Sequence, residues 1–400
     1  MKKLIALLLA AIMVMAIFVG CSSKSAETPS TDTPAADTPA ADTPAADTPA
    51  ATTDVPADVE TPEGKTVKIG FIGWGYTDGL GSAYKRYLDY VAPYVGMEIV
   101  YGQYKTAEDI ISQAESLIQA GCNVIMTTIA SASLIDLCAK NEVYMAQWGS
   151  PVLDEELKAY LEQSPYWVGC STVDDVASGA AMVDALYEAG SRHIAVLAPA
   201  AGNACHDARY EGIYDEVERY DDMEVVSEFR DASLNTTAPA AIQNMIAMYP
   251  ELDGIVMTGA SNGQMDAVIQ TLATEGKTGK IKFATLDVQD GTGDYMDEGA
   301  LDFIGGGQYP EVVFLALCCV NAVDGTIDLP IQIDSQFINI EGSQGYADYV
   351  KYIDAEGVFP WTAEELAQLV TRVNPDATFQ DLYDTWKGYS MESVIARKEG

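Results

Sequence analysis

Asp109-Ile-Ile-Ser-Gln-Ala-Glu-Ser-Leu-Ile-Gln-Ala-Gly-Cys-Asn-Val-Ile-Met126 holds two hydrophobic periods back to back. Ile110, Ile111, Ala114, Leu117 and Ile118 recur at the spacing of one helix face. Gly121 stops that helix, and the unbroken apolar run from Val124 to Thr128 reads as a buried strand. Outward from this unit the same alternation repeats. Toward the N-terminus, Thr66–Ile72 reads as a strand, Ser82–Val95 as a helix and Met97–Tyr101 as a strand. Toward the C-terminus come a helix over Ser131–Lys140 and a strand over Val143–Gln147. Strands joined by helices with short connections imply parallel sheets, right-handed crossovers and helices on both faces.

The rhythm restarts after Cys170. Helices are expected at Val176–Ala189, Asp207–Tyr220, Ala238–Met248 and Gln264–Glu275, and strands at His193–Ala198, Glu224–Phe229, Gly254–Thr258 and Lys282–Leu286. The fold class is therefore α/β, as two similar parallel-sheet halves. Ligands of open parallel sheets lie off the carboxyl ends of the strands, so two such halves facing each other form a cleft from their post-strand loops.

Composition bounds the function. The formal charge is −38, from 22 basic and 60 acidic side chains, which repels nucleic acid. Lys2 and Lys3 precede an apolar run from Leu4 to Val19, the layout of a secretory signal and too short to span a bilayer comfortably. Phe18-Val19-Gly20-Cys21 resembles a bacterial lipobox, which makes Cys21 the expected mature N-terminus and lipidation site. Phe18 stands where leucine is usual, which leaves an uncleaved anchor or a plain secretory signal open. Residues 1–20 are thus expected to be the signal. Residues 21–64, with four copies of Asp-Thr-Pro-Ala-Ala from Asp32 to Ala51, read as a disordered tether. At ~3 Å per residue it reaches on the order of 100 Å. The remaining cysteines, Cys122, Cys138, Cys170, Cys205, Cys318 and Cys319, match no zinc spacing, and most sit in apolar surroundings and read as small core residues, with disulfides the alternative. No metal and no cofactor is expected.

With the 109–126 unit, an ordered series of further matches resembles type I periplasmic binding proteins, the ribose- and galactose-binding group. These are Asp174 with Gly179, the run Gly190–Leu197, Arg209 with Gly212, and Gly305-Gly306-Gly307-Gln308-Tyr309-Pro310. The resemblance covers about Val67 to Ile340 and implies two Rossmann-like lobes joined by a three-segment hinge that closes on ligand. Lobe 1 is expected at 65–173 and 309–340, and lobe 2 at 174–308 with a return segment after 340. The crossings are placed near Asp174, near Gln308 and after Ile340. Residues 341–400 form an extension, mainly helical, with helices expected over Trp361–Val373 and Phe379–Trp386.

The resemblance also implies function: an extracytoplasmic, membrane-anchored, monomeric receptor that gives a small sugar-like ligand to an ABC permease and ATPase. A ligand sensor serving a membrane kinase or chemoreceptor is the alternative. Among the ligand-binding candidates, Trp74 and Tyr76 follow the first strand, where an aromatic can stack on a sugar ring or simply pack under the loop. Trp148 invites the same reading. Gly149 and Ser150 replace the Asp-Arg pair of the ribose-type pattern, which puts ribose in doubt. By family register, Arg209, Asn262, Asp287 and Gln308 bind hydroxyls, groups suited to paired donors and acceptors. Asp78 and Gln147 are weaker additions.

Features that suggest an enzyme fail on inspection. Gly259-Ala260-Ser261-Asn262-Gly263 matches a serine-hydrolase elbow, but that fold needs a histidine after the serine, and His193 and His206 both precede it. Gly73-Trp74-Gly75 lacks the third glycine of a dinucleotide fingerprint, with Asp78 in its place. Cys205-His206-Asp207 reads as a helix start rather than a metal cluster. The chain is not expected to be an enzyme.

Overall fold

The computed structural model describes residues 62–400, apart from Ala232, Ser261, Asn262, Glu356 and the side chain of Ser335. Residues 1–61, with the expected signal, Cys21 and most of the expected tether, lie outside the described residues. No helix among the described residues is long and apolar enough to cross a membrane.

The first sheet has the order β11-β5-β4-β3-β1-β2. Its strands are β1 (Val67–Gly73), β2 (Met97–Gln103), β3 (Val124–Thr127), β4 (Tyr144–Gln147), β5 (Trp167–Val173) and β11 (Ile331–Ser335), all paired in parallel. The intervening helices are α1 (Gly79–Val91), α2 (Asp109–Gln119), α3 (Ala132–Lys140) and α4 (Glu155–Leu161). The deciding stretch is α2 and β3. Ile110, Ala114 and Leu117 are buried, as the helical period requires, and all of β3 is buried as a central strand should be.

The second sheet has the order β12-β10-β9-β8-β6-β7. It contains β6 (His193–Ala198), β7 (Glu224–Arg230), β8 (Gly254–Met257), β9 (Lys282–Leu286), β10 (Phe303–Gly306) and β12 (Ile338–Glu341). Only β12 runs antiparallel, at the edge. Its helices are α5 (Asp175–Glu188), α6 (Ala204–Val217), α7 (Leu234–Met248), α8 (Gln264–Thr274) and the short α9 (Thr292–Asp297).

One boundary corrects the sequence reading. β11 belongs to the first sheet and β12 to the second, so the third crossing falls at 336–337 rather than after Ile340. The strand-like run from Ile331 to Ile340 contains no glycine or proline, so nothing local marks where the chain changes sheets.

Helix α10 (Glu311–Asp324) is hydrophobic all round and buried from Glu311 to Val323. Such a helix needs cover on every side. The first sheet covers one face. The other is covered by α1 and by residues after 355, where α12 (Ala363–Ala367), α13 (Phe379–Lys387) and α14 (Met391–Glu399) follow α11 (Gly342–Tyr349) and a π turn at Val350–Asp354. Phe314 of α10 meets Trp361 at 5.2 Å and Trp386 at 4.8 Å between ring centroids.

The same C-terminal segment ties the crossings together. Tyr389 donates to Gly307 O at 2.7 Å, and the Tyr349 and Tyr309 hydroxyls lie 2.7 Å apart. Lys387 pairs with Asp334 at 2.8 Å, and Tyr87 donates to Ile353 O at 3.0 Å.

Candidate ligand-binding cleft

The floor of the first lobe is aromatic. Trp148 leaves β4 as a nearly buried ring stacked on Phe71, with centroids 4.9 Å apart and planes at 13°. Tyr84 of α1 meets it edge-on at 5.1 Å, and Trp74 tilts against it at 5.5 Å. Trp74 is the exposed member, at 41 %. Asp78 holds it in place, accepting from Trp74 Nε1 at 3.0 Å while capping α1 through Gly81 N at 2.9 Å.

Two sequence candidates have their polar ends engaged elsewhere. The Tyr76 hydroxyl lies 2.8 Å from the carbonyl oxygens of both Phe71 and Gly102, and its ring packs on Tyr101. Here packing under the loop is what the chain does. Gln147 accepts from Ala130 N at 2.6 Å and donates to Ser150 O at 2.8 Å, bracing two post-strand loops.

The wall of the second lobe is charged. From α6, Arg209 Nε donates to Asp175 Oδ1 at 2.7 Å and Nη1 to Thr258 O at 2.9 Å, with the guanidinium over the Phe337 ring at 5.5 Å. Asp287 follows β9 with φ at +75°, in the left-handed region that aspartate and asparagine enter more readily than other residues besides glycine. Gly259 shows how close these groups come. A Cβ there would lie 2.8 Å from His206 Cε1, 3.2 Å from Arg209 Nη1 and 3.4 Å from Asp287 Oδ2. The first glycine of the elbow-like motif thus leaves room for Arg209 and Asp287 to converge. Gln308 is buried at the second crossing, while Ser261 and Asn262 lie outside the described residues.

Burial raises the pKa of Asp175, with Arg209 opposing, and burial likewise raises Asp287 against the same Arg209, although that residue keeps some exposure. For Arg209, burial works against the charge, but Asp175 and Asp287 outweigh it and the net direction is up. His206, bonded through Nδ1 to Thr258 Oγ1 at 2.9 Å, is pushed down to about 4 chiefly by burial and is neutral at pH 7.

Reading by sequence missed Tyr84, Asp175, His206 and Glu311. Glu311 is fully buried at the start of α10, where Oε1 accepts from Gly149 N at 2.7 Å and Ser171 Oγ at 2.6 Å. Its signal was available: one carboxylate heading an otherwise apolar run from Val312 to Val320. Gly149 also meets the opposite lobe, with Cys205 Sγ 3.9 Å from its carbonyl oxygen. Cys205 lies in the first turn of α6, where Asp207 accepts from Gly202 N at 2.7 Å, as a helix start.

Arg209 is positioned by a close helix crossing. A Cβ on Gly179 of α5 would lie 2.1 Å from Arg209 O, and one on Gly212 of α6 would lie 2.0 Å from Val176 O. Gly212→Ala is expected to force the helices apart and lower stability by about 1–3 kcal/mol, read from urea midpoints. An unchanged midpoint would refute this role for the crossing.

The family description "periplasmic binding protein domain" matches residues 75–324. The chain belongs to this family. Its members are extracytoplasmic binding proteins, not enzymes. No curated protein sequence matches it. Among solved structures, this binding protein is similar to a sugar ABC transport substrate-binding protein from Bordetella parapertussis, with 14 % identity and TM-score 0.61 over 73 % of this chain and 95 % of that one. It is also similar to a periplasmic solute-binding protein from Actinobacillus succinogenes with bound D-allose, at 14 % identity and TM-score 0.60 over 70 % and 100 % of the two chains. A Bacillus halodurans solute-binding protein with bound myo-inositol gives 16 % and 0.56 over 73 % and 99 %. At such identities the likeness establishes the fold: two α/β lobes of the type I arrangement.

Proposed function

We propose that this binding protein is the receptor of an ABC importer for a small saccharide or polyol. It would be anchored through Cys21 and held off the membrane by the tether at 21–64. The observation that carries the reading is an aromatic floor, Trp74 on Trp148, in one lobe and the convergent Arg209–Asp287 pair in the other. A sugar ring offers an apolar face to the first and paired hydroxyls to the second. The ligands named with its structural neighbours, D-allose and myo-inositol among them, are of this class.

Trp74, Trp148, Arg209, Asp287 and Gln308 are the proposed contacts, with Asn262 added on family resemblance alone. Tyr76, Asp78 and Gln147 support loops rather than ligand in this reading. Contacts from both lobes stabilise the closed population, and closure is what a permease recognises.

A thermal-shift panel of sugars, polyols, nucleosides and amino acids tests this. The ligand is expected to stabilise the chain by about 2.7 kcal/mol at a hundredfold excess over its dissociation constant. Asp287→Ala should abolish the shift. A shift with a nucleoside or amino acid instead overturns the ligand class, and loss of the permease genes without loss of uptake overturns the importer role.

A further inference from the structure

Two buried polar atoms in the first lobe's wall, Glu311 Oε2 and Trp148 Nε1, make no well-formed hydrogen bond among the described residues, although the Tyr84 hydroxyl lies close enough to the Glu311 carboxyl to favour its ionised form. Two others, Trp361 Nε1 and Trp386 Nε1, lie under the C-terminal helices. The first pair are close neighbours in the fold. Trp148 precedes Gly149, whose N–H is bound by Glu311 and whose carbonyl meets Cys205 of the second lobe. Tyr84 lies against both, edge-on to Trp148 and beside the Glu311 carboxyl.

Charge is unbalanced at this place. Asp175, Asp287 and Glu311 line the two walls, and Arg209 is the cation that serves them. Arg209 is bonded to Asp175 and leans toward Asp287, which leaves Glu311 without a counter-charge among the described residues. A buried carboxylate without a cation is costly, and an ammonium group offsets that cost more fully than a neutral hydroxyl does. The surrounding faces of Trp148, Tyr84 and Trp74 are the surfaces on which a cation is further stabilised. The free Trp148 N–H needs an acceptor, which a sugar oxygen supplies.

We propose that the cleft takes a cationic ligand, a saccharide or polyol bearing a protonated amine, with the ammonium seated between Glu311 and the rings of Tyr84 and Trp148. This deepens the saccharide-receptor reading above and rests on it. The ligand enters with the lobes apart, and closure brings Cys205 over Gly149 and shuts the site.

Acid opposes such binding. Burial, with the Asp175 charge and against hydrogen bonds from Ser171, Gly149 and Tyr84, raises the Glu311 carboxyl to about 7 in the ligand-free chain, so below that pH a proton must leave before the ammonium can pair. Its titratable neighbours are Tyr84 of α1, Cys170 of β5, Asp175 of α5 and Cys205 of α6. All four are acids, neutral when protonated and negative when not, and burial raises each toward its neutral form, so none supplies a competing positive charge.

The test is titration calorimetry on the full chain in detergent at pH 5.5, 6.5 and 7.5, with amine and hydroxyl twins. The pairs are glucosamine with glucose, galactosamine with galactose, mannosamine with mannose, and 1-amino-1-deoxysorbitol with sorbitol. One amine is expected to bind at least about tenfold tighter than its twin at pH 7.5, and to weaken by up to about tenfold between pH 6.5 and 5.5. Glu311→Gln should remove most of both effects. The twin comparison and pH series on the unaltered chain decide the matter even if that variant folds poorly. Neutral sugars binding as tightly as their amines would overturn the cationic ligand and leave the saccharide receptor standing. Silence from every pair would overturn both.

Discussion

Glu311→Gln is expected to stabilise the ligand-free protein by about 2–3 kcal/mol at pH 8 and to change it little at pH 5. The carboxyl is fully buried, and burial lifts its pKa from the ordinary 4.5 to about 7. An acid whose folded pKa lies above its unfolded value holds its proton longer in the folded state. Between about pH 4.5 and 7 the folded chain therefore binds more protons, and its stability falls as pH rises through that window and stays low above it. A tenfold difference in proton affinity between the folded and unfolded chain corresponds to about 1.4 kcal/mol, and a buried glutamine amide with imperfect partners offsets part of the gain. Glutamine still offers an oxygen to Gly149 N and Ser171 Oγ. Urea unfolding of both chains at the two pH values measures the effect. A variant equally destabilised at both would show a carboxylate that matters only as a hydrogen-bond acceptor. If the expectation holds, this chain carries a destabilising charge at its cleft, as binding sites do when ligand supplies the missing partner.

Trp386→Ala is expected to cost about 3–5 kcal/mol, the range for emptying a buried aromatic site. Trp386 is fully buried, 4.8 Å from Phe314 and 5.3 Å from Tyr389 between ring centroids. Its loss uncovers α10 and loosens Tyr389, which bonds the second crossing at Gly307. Calorimetry should show one cooperative transition at lower temperature. Two transitions, with the last helices melting first and the lobes unchanged, would make residues 355–400 an appendage rather than part of the core.

The positions proposed for the cleft were legible in sequence because they obey local rules. Trp74, Trp148 and Asp287 sit just past strands and Arg209 in the second turn of α6, and the alternation of elements places those positions at one end of each sheet. Tyr76 has the same sequence credentials as Trp74, yet its hydroxyl reaches Phe71 O and Gly102 O. Which of two loop aromatics turns outward depends on β2, distant in sequence. Glu311 was overlooked because a carboxylate at a helix start is ordinarily a solvated dipole partner.

By itself the sequence determined the α/β class, the order of most helices and strands, the paired halves and the binding-protein resemblance, because hydrophobic period and glycine punctuation act over a few residues. Only the tertiary structure decided that the chain changes sheets at 336–337, that residues after 355 help seal α10, and that Glu311 has no counter-charge among the described residues beside the cleft. Each of these depends on what covers a residue from a distant part of the chain. Burial and charge balance are properties of the assembled neighbourhood, and no local period encodes them.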